Sequence, residues 1–188
     1  IHTATGFYPK AIDRFLSPSR FMKEKIESFN LGLSPIEYIP KFINTNEFEP
    51  NYKPGEYLVY VGFLLGYKGI NTLIKAMRHV DAPLYIVGSG KEQAFIESFA
   101  AEHKMTNIKL LGYMSKDKLA DVVRNARLAV VPSECYENQP YSILESYAWG
   151  KPVVASNLGS MPELISPSTG RLFEAGNSED LALKLNEA

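Results

Sequence analysis

Two glutamates, Glu137 and Glu145, lie eight positions apart in the segment SECYENQPYSILESYAWGKPVVAS, residues 133–156. Glu137 precedes a helical pattern over residues 140–149, and Glu145 falls inside it. A carboxylate accepts hydrogen bonds from two neighbouring sugar hydroxyls with charge-assisted strength. The two positions therefore suit two sugar rings, with a ribose beside Glu145 and a second sugar beside Glu137.

Between those sugars, the same segment predicts a binding site for phosphate. A helix that starts near Gln139 presents free N–H groups and the positive end of its dipole, which favour an anion. Lys68, in the loop GFLLGYKG of residues 62–69, is expected to bring a mobile cation to the same phosphate. A base, a ribose, a diphosphate and a hexose in this order make up a sugar nucleotide.

The rest of the chain predicts the elements that position these residues. Five short apolar runs, at residues 57–62, 84–88, 107–112, 128–133 and 152–156, are predicted strands and alternate with helical patterns. This indicates an α/β fold with a parallel sheet and helices on both faces. Ligands of such sheets bind beyond the carboxyl ends of the strands. Four loops are predicted there: residues 62–69, 88–92, 112–117 and 132–140.

The first part of the chain differs in pattern. Residues 1–40 contain a strand, a helix that Gly32 ends, and a second strand, and we interpret them as an appended tail. Residues 41–56 are polar, lack periodicity and contain Asn, Pro and Gly throughout, which predicts a linker. Residues 57–188 are then the main αβα domain, with a last helix that is cut short.

Composition excludes several classes of function. The 188 residues carry a net charge of −1, so neither nucleic acid nor an anionic membrane is an expected partner. No apolar run is long enough to span a bilayer, and the first ten residues lack the apolar stretch of a signal peptide. The single cysteine favours a reducing, cytoplasmic location. The histidines at positions 2, 79 and 103 show no metal-ligand spacing, so no metal site is predicted.

At this point the motifs resemble a known family. The block PSECYENQPYSILESYAWGKPVVASNLGSMPEL is similar to the double-glutamate signature of family 4 glycosyltransferases, which are retaining enzymes with the GT-B fold. The segments YVGFLLGYKGI, YIVGSG and IKLLGYM resemble strand–loop units of the donor-binding domain of that family. Residues 19–48 resemble the end of its N-terminal domain, so the resemblance covers nearly the whole chain.

The resemblance implies a role for each matching residue. Lys68 and Glu137 would be the catalytic pair, with Lys68 neutralising the donor diphosphate and Glu137 holding hydroxyls of the transferred sugar. Glu145 would hold the ribose hydroxyls. Tyr113 and Met114 would line the base pocket, and backbone amides around Asn138, Gln139, Tyr141 and Ser142 would contact sugar and phosphate. Gly62 and Pro140, which has no N–H to donate, complete the implied donor-binding residues.

Two positions depart from the family pattern. Phe63 stands where the family usually has an arginine that assists at the diphosphate, so Lys68 either works alone or needs a cation from elsewhere. Asn138 stands where the family usually has glycine, and asparagine tolerates the left-handed backbone expected there. We otherwise expect Phe63 to be a packing residue, and Glu163 to belong to a helix start.

The resemblance also sets the expected reaction. The chain is predicted to be one half of a GT-B enzyme that transfers a hexose from a UDP or GDP sugar to a saccharide or lipid-linked acceptor, without a cofactor, in polysaccharide biosynthesis. The acceptor would bind to an N-terminal domain of which this chain holds only the tail, so little transfer by the chain alone is expected. The full-length enzyme would be cytoplasmic, with peripheral membrane association left open.

Other functions on the same fold stay open. One is a sugar-nucleotide-binding module that has lost catalysis, which Phe63 makes conceivable. Another is a GT-B epimerase or a phosphorylase-like enzyme, although no acid–base set or pyridoxal lysine supports it. A nicotinamide-dependent dehydrogenase is disfavoured, because Gln93 stands where the G-x-G-x-x-G motif needs glycine.

Overall fold

A computed structural model describes residues 11–33 and 35–188 of the chain. Its main body is a parallel six-stranded sheet in the order β5-β4-β3-β6-β7-β8. The strands are β3 (Leu58–Val61), β4 (Leu84–Val87), β5 (Ile108–Gly112), β6 (Leu128–Val131), β7 (Val153–Ser156) and β8 (Gly170–Phe173). The predicted parallel α/β architecture is therefore confirmed.

Helices cover both faces of this sheet. They are α2 (Ile70–Ala76), α3 (Gln93–Glu102), α4 (Lys116–Arg124), α5 (Tyr141–Ala148) and α6 (Ser178–Asn186). Along β3, Leu58 and Tyr60 pack into one hydrophobic core, whereas Val59 packs into the other. Strands buried on both faces need continuous apolar runs, which explains why their sequences show no polar alternation.

The strand order alone indicates where along the edge of the sheet a ligand would bind. From β3 the chain builds outward through β4 to β5, then returns to β6, which pairs with the other side of β3. The loops that follow β3 and β6 therefore leave the sheet in opposite directions and open a crevice between them. Such switch points are where open α/β sheets bind ligands.

One strand escaped the sequence pattern. β8 pairs with β7 at the edge of the sheet, with Arg171 exposed at its second position. Only Leu172 and Phe173 of its four residues are large and apolar, so its apolar signal is too weak to stand out from the surrounding loop.

The predicted tail contains a second, two-stranded sheet. β1 (Phe15–Ser17) and β2 (Ile36–Tyr38) make a parallel pair connected through α1 (Arg20–Glu27), as the strand–helix–strand pattern predicts. The prediction that Gly32 ends the helix was wrong, because the helix ends at Glu27 with Ser28 as its C-cap. Gly32 lies five residues beyond that end, with a positive φ of 69°. The first ten residues of the tail, which include His2, and Ser34 lie outside the described residues.

The predicted linker has little regular structure. A single helical turn at Thr45–Glu47 is its one regular element between residues 41 and 56. In the described ranges, every helix is too short and too polar to cross a membrane.

Candidate functional site

A pocket of about 440 Å³ occupies the crevice at the switch point of the sheet. Its walls come from the loop after β3, the loop after β6, the start of α5 and the linker. The predicted residues that line it are Gly62, Lys68, Glu137, Pro140, Tyr141 and Ser142. Gly62 and Glu137, which are 75 positions apart in the sequence, thus meet at one site.

A glycine brings the two loops together. Gly69 has a φ of 72°, and a Cβ atom on it would lie 1.7 Å from the carbonyl oxygen of Pro132. Only glycine allows this close approach of two backbones. As a result, the helical turn Gly66–Lys68 lies directly against the loop that carries Glu137.

Lys68 and Glu137 form a half-buried ion pair. The Lys68 Nζ donates to Glu137 Oε1 at 2.6 Å, and the Ser133 hydroxyl donates to the same oxygen at 2.8 Å. Burial lowers the pKa of Lys68, but the hydrogen bond and charge of Glu137 outweigh it and raise the pKa above its ordinary value. Lys68 is therefore a held cation, not the mobile one that we expected.

Two hydrogen bonds of the Ser160 hydroxyl fix the loop before α5. The N–H of Gln139 donates to the Ser160 hydroxyl at 2.6 Å, and that hydroxyl donates to the Glu137 carbonyl at 2.7 Å. The helix itself begins at Tyr141, with Pro140 at its N-cap. The N–H of Gln139 is thus already used inside the protein and is not free for a ligand, contrary to expectation.

The left-handed residue in this loop is also not the expected one. Gln139 has a φ of 62°, whereas Asn138 is absent from the residues with positive φ. The Asn138 side chain instead accepts a hydrogen bond from the Ser19 hydroxyl of the tail at 3.1 Å. Asn138 therefore connects the loop to the tail, and neither it nor Gln139 lines the pocket.

Glu145 lies on the second turn of α5 in a different environment. It lines a cavity of about 30 Å³ beside the pocket, with Val61, Leu119 and Trp149 among its neighbours. Within residues 11–33 and 35–188, its carboxylate makes no hydrogen bond or ion pair. The residue is exposed, yet the partial burial of its carboxyl beside these side chains raises the pKa of Glu145, while the charge of Lys116 acts in the opposite direction.

A second pocket, of about 200 Å³, adjoins the first beyond β3 and β4. Tyr113 and Met114 line it, as the sequence predicts for a base pocket, together with Gly88 and Gly62. Gly62 and Phe63 line both pockets and so mark the boundary between them.

Phe63 is not the packing residue that we expected. Its side chain is 67% exposed, whereas the next residue, Leu64, is buried in the core. The phenyl ring therefore lies on the pocket wall, where it contributes apolar surface and no charge.

Glu163 caps a helix, but not the one that its position predicts. Its carboxylate accepts from the N–H groups of Arg20 at 3.0 Å and Phe21 at 2.6 Å, which open α1 of the tail. A carboxylate at a helix N-terminus satisfies free donors and the dipole together. The tail is therefore anchored to the loops that form the pocket.

The sequence reasoning about this site missed three side chains, Ser133, Ser160 and Lys41, and the helix that Glu163 caps. Ser133 and Ser160 position Glu137 through its carboxylate and its carbonyl. Serine is common in loops, and nothing local distinguishes a positioning serine from a solvated one. Among the described ranges, no group of three or more His, Cys, Asp or Glu side chains is arranged to hold a metal ion.

Curated proteins are similar to this chain in sequence. An uncharacterized glycosyltransferase of Methanocaldococcus jannaschii is 29% identical over 178 residues, covering 93% of this chain and 49% of the relative. The glycogen synthase of Mycobacterium tuberculosis is 30% identical over 183 residues, covering 90% of this chain and 44% of the relative. The chain thus spans about half the length of the curated relatives it matches.

Solved structures agree on the fold. The structure of Anabaena HepE in complex with UDP and glucose matches 99% of this chain with a TM-score of 0.83 at 19% identity, and 56% of that chain is covered. The Rossmann-like parallel α/β fold is that of GT-B glycosyltransferases.

The family model described as "Glycosyl transferases group 1" matches residues 42–188, which include the whole six-stranded sheet and every residue that lines the two pockets except Lys41. Since this match covers most of the chain, the protein belongs to the glycosyl transferases group 1 family.

Proposed function

We propose that this chain is the donor-binding part of a retaining, family 4-like glycosyltransferase. The enzyme would transfer a hexose from a UDP or GDP sugar to a saccharide or lipid-linked acceptor. The observation that carries the proposal is the pocket at the switch point, where Lys68, Glu137 and the start of α5 converge, with Glu145 on the adjoining wall.

In this proposal the donor is divided between the two pockets. A base fits the apolar pocket of Tyr113 and Met114, and the larger pocket next to it has room for phosphates and a sugar. Glu145 adjoins both the β3 wall and the start of α5, which suits a ribose between base and diphosphate. Anabaena HepE, which has the same fold, was crystallised with UDP and glucose, and this supports a donor of the same class.

The proposed chemistry is electrostatic. Breaking the bond between sugar and diphosphate leaves negative charge on the diphosphate, and a fixed ammonium lowers the energy of that charge. Glu137 and Ser133 hold the Lys68 ammonium in place before the donor arrives, so little reorganisation is needed during reaction. The free oxygen of Glu137 can accept from sugar hydroxyls.

The wider assignments are part of the same proposal. Residues 57–188 would form the donor domain, residues 41–56 the linker and residues 1–40 the tail of a domain that binds the acceptor. No cofactor or metal would be needed. The enzyme would act in cytoplasmic polysaccharide biosynthesis, with peripheral membrane association as an alternative, and the isolated chain would transfer little.

The test is a calorimetric titration of the chain with UDP, GDP and ADP and with their hexose conjugates. We expect saturable binding of one base series, and binding weakened about tenfold or more in Glu145→Ala, from the loss of hydrogen bonds to a charged group. Glu102→Ala, on the exposed surface of α3, is the matched control and should bind normally. If none of these nucleotides shows saturable binding, the proposal is refuted.

A second candidate is a nucleotide-sugar-binding module without catalysis, which the uncharged Phe63 on the pocket wall favours. Both candidates predict nucleotide binding, so the distinction needs the full-length protein. Transfer of hexose with the anomeric configuration preserved, observed by NMR of the product, supports the retaining enzyme. Tight donor binding with no product supports the module.

A further inference from the structure

The pocket at the switch point contains a second lysine, which comes from the linker. Lys41 lies three residues after the end of β2 and lines the pocket opposite the loop of Lys68. No motif in the linker points to it, because its sequence surroundings are those of an ordinary polar connection. Its position is a consequence of how the linker packs against α5.

Three contacts hold Lys41 at the start of α5. Its backbone N–H donates to the side-chain oxygen of Gln139, and its Nζ donates to the Gln139 carbonyl at 3.1 Å. The Nζ also lies 4.8 Å from the ring centroid of Tyr141. Both Gln139 and Tyr141 adjoin the helix end where an anion is expected, so the ammonium is fixed at that end.

The two lysines differ in how much of their charge and how many of their N–H donors remain unpaired. Lys68 is already paired with Glu137. Lys41 makes no ion pair with any carboxylate in the described part of the chain, and its one hydrogen bond to a carbonyl leaves two N–H groups free. Two lysines and one glutamate therefore give the pocket lining a net positive charge, and that excess charge comes from Lys41.

Apart from Lys68, the loop after β3 contributes no cation to the pocket. Phe63 stands at the exit of β3 with its ring exposed in the pocket, at the position where the family resemblance implies an arginine. A diphosphate carries more than one negative charge, which a single lysine shared with a glutamate balances poorly. The linker lysine is the remaining cation among the residues that line this pocket.

We infer that Lys41 is a donor-binding residue that contacts the diphosphate together with Lys68, in place of the cation missing at Phe63. This inference rests on the proposed function, because it needs a nucleoside diphosphate in the pocket. It also has a structural consequence, since a diphosphate held by Lys41 fastens the linker to α5.

The test compares nucleoside diphosphate with nucleoside. For the base that the wild-type chain binds best, affinities of the diphosphate and of the free nucleoside are measured for wild type, Lys41→Met and Lys41→Arg. Lys91→Met is the matched control, because it removes the same charge from an exposed loop at the same sheet edge that does not line the pocket. Urea unfolding of each variant checks that the fold is intact.

We expect Lys41→Met to bind the diphosphate about tenfold or more weakly, the typical effect of losing a hydrogen bond to a charged group. Lys41→Arg and Lys91→Met should stay close to wild type, and nucleoside affinity should not change. If Lys41→Met binds the diphosphate normally, or weakens nucleoside and diphosphate equally, this inference fails while the proposed function stands. If the wild type binds no nucleoside diphosphate, both fail.

Discussion

The loop before α5 and the first two turns of that helix carry one glutamate each, and the two glutamates lie in opposite surroundings. Glu137, in the loop, is paired with Lys68 and Ser133, and its side chain is only 17% exposed. Glu145, on the helix, has no partner in the parts of the chain described, and its pKa is raised by apolar neighbours. Glu137 is bonded within the protein, whereas Glu145 is exposed and makes no hydrogen bond or ion pair to any described residue.

This difference separates two kinds of binding residue. A carboxylate with internal partners stabilises the fold and presents a fixed charge, so its removal changes both structure and binding. An exposed carboxylate without protein partners contributes little to the fold, and it exchanges bonds to water for bonds to a ligand on binding. We therefore expect stability and nucleotide affinity to respond to different glutamates.

The largest expected effect is on stability. Glu137→Ala removes the acceptor of both Lys68 and Ser133, so the free energy of unfolding should fall by about 1–3 kcal/mol. Glu145→Ala should change it by no more than about 0.5 kcal/mol. Urea unfolding measures both, and Lys68→Met with the double variant tests whether the loss comes from the pair. Equal losses in the two glutamate variants would remove the proposed contrast.

The next effect concerns the ribose. If Glu145 accepts from the ribose hydroxyls, replacing UDP, or the base that binds, by its 2′-deoxy form should weaken wild-type binding about tenfold. In Glu145→Ala the same change of ligand should have little effect, because the acceptor is already gone. Calorimetry of the four combinations gives the coupling between residue and hydroxyl. A deoxy effect of the same size in the variant would place the ribose elsewhere.

The smallest effect is on pH dependence. Only the ionised carboxylate of Glu145 accepts both hydroxyl bonds, and its pKa is raised from the ordinary 4.5. Acidification should therefore begin to weaken binding at a higher pH than an ordinary glutamate would, by about twofold when the pH equals the pKa of the group. Glu145→Gln experiences the same titration of the ligand phosphates, so the difference between the two pH profiles isolates the carboxylate. Parallel profiles would contradict the role.

Much of the fold was predictable because local sequence patterns indicate its strands and helices. Apolar runs of four to five residues and helical spacing identified five of the six strands of the main sheet, and all were confirmed. The edge strand β8 was missed because only two of its four residues, Leu172 and Phe173, are large and apolar. The Gly69 turn was marked by its glycine, although the partner that makes glycine necessary, the Pro132 carbonyl, lies 63 residues away.

The sequence by itself determined which residue types were available at the ends of the strands, since strand, loop and helix follow from neighbours along the chain. Only the tertiary structure decided how those residues were paired. Lys68 meets Glu137, Lys41 reaches Gln139 across 98 positions, and Glu163 caps a helix 142 residues away. These contacts depend on the order of strands in the sheet and on the packing of the linker. Both are set by the burial of the whole core, which no local stretch of sequence encodes.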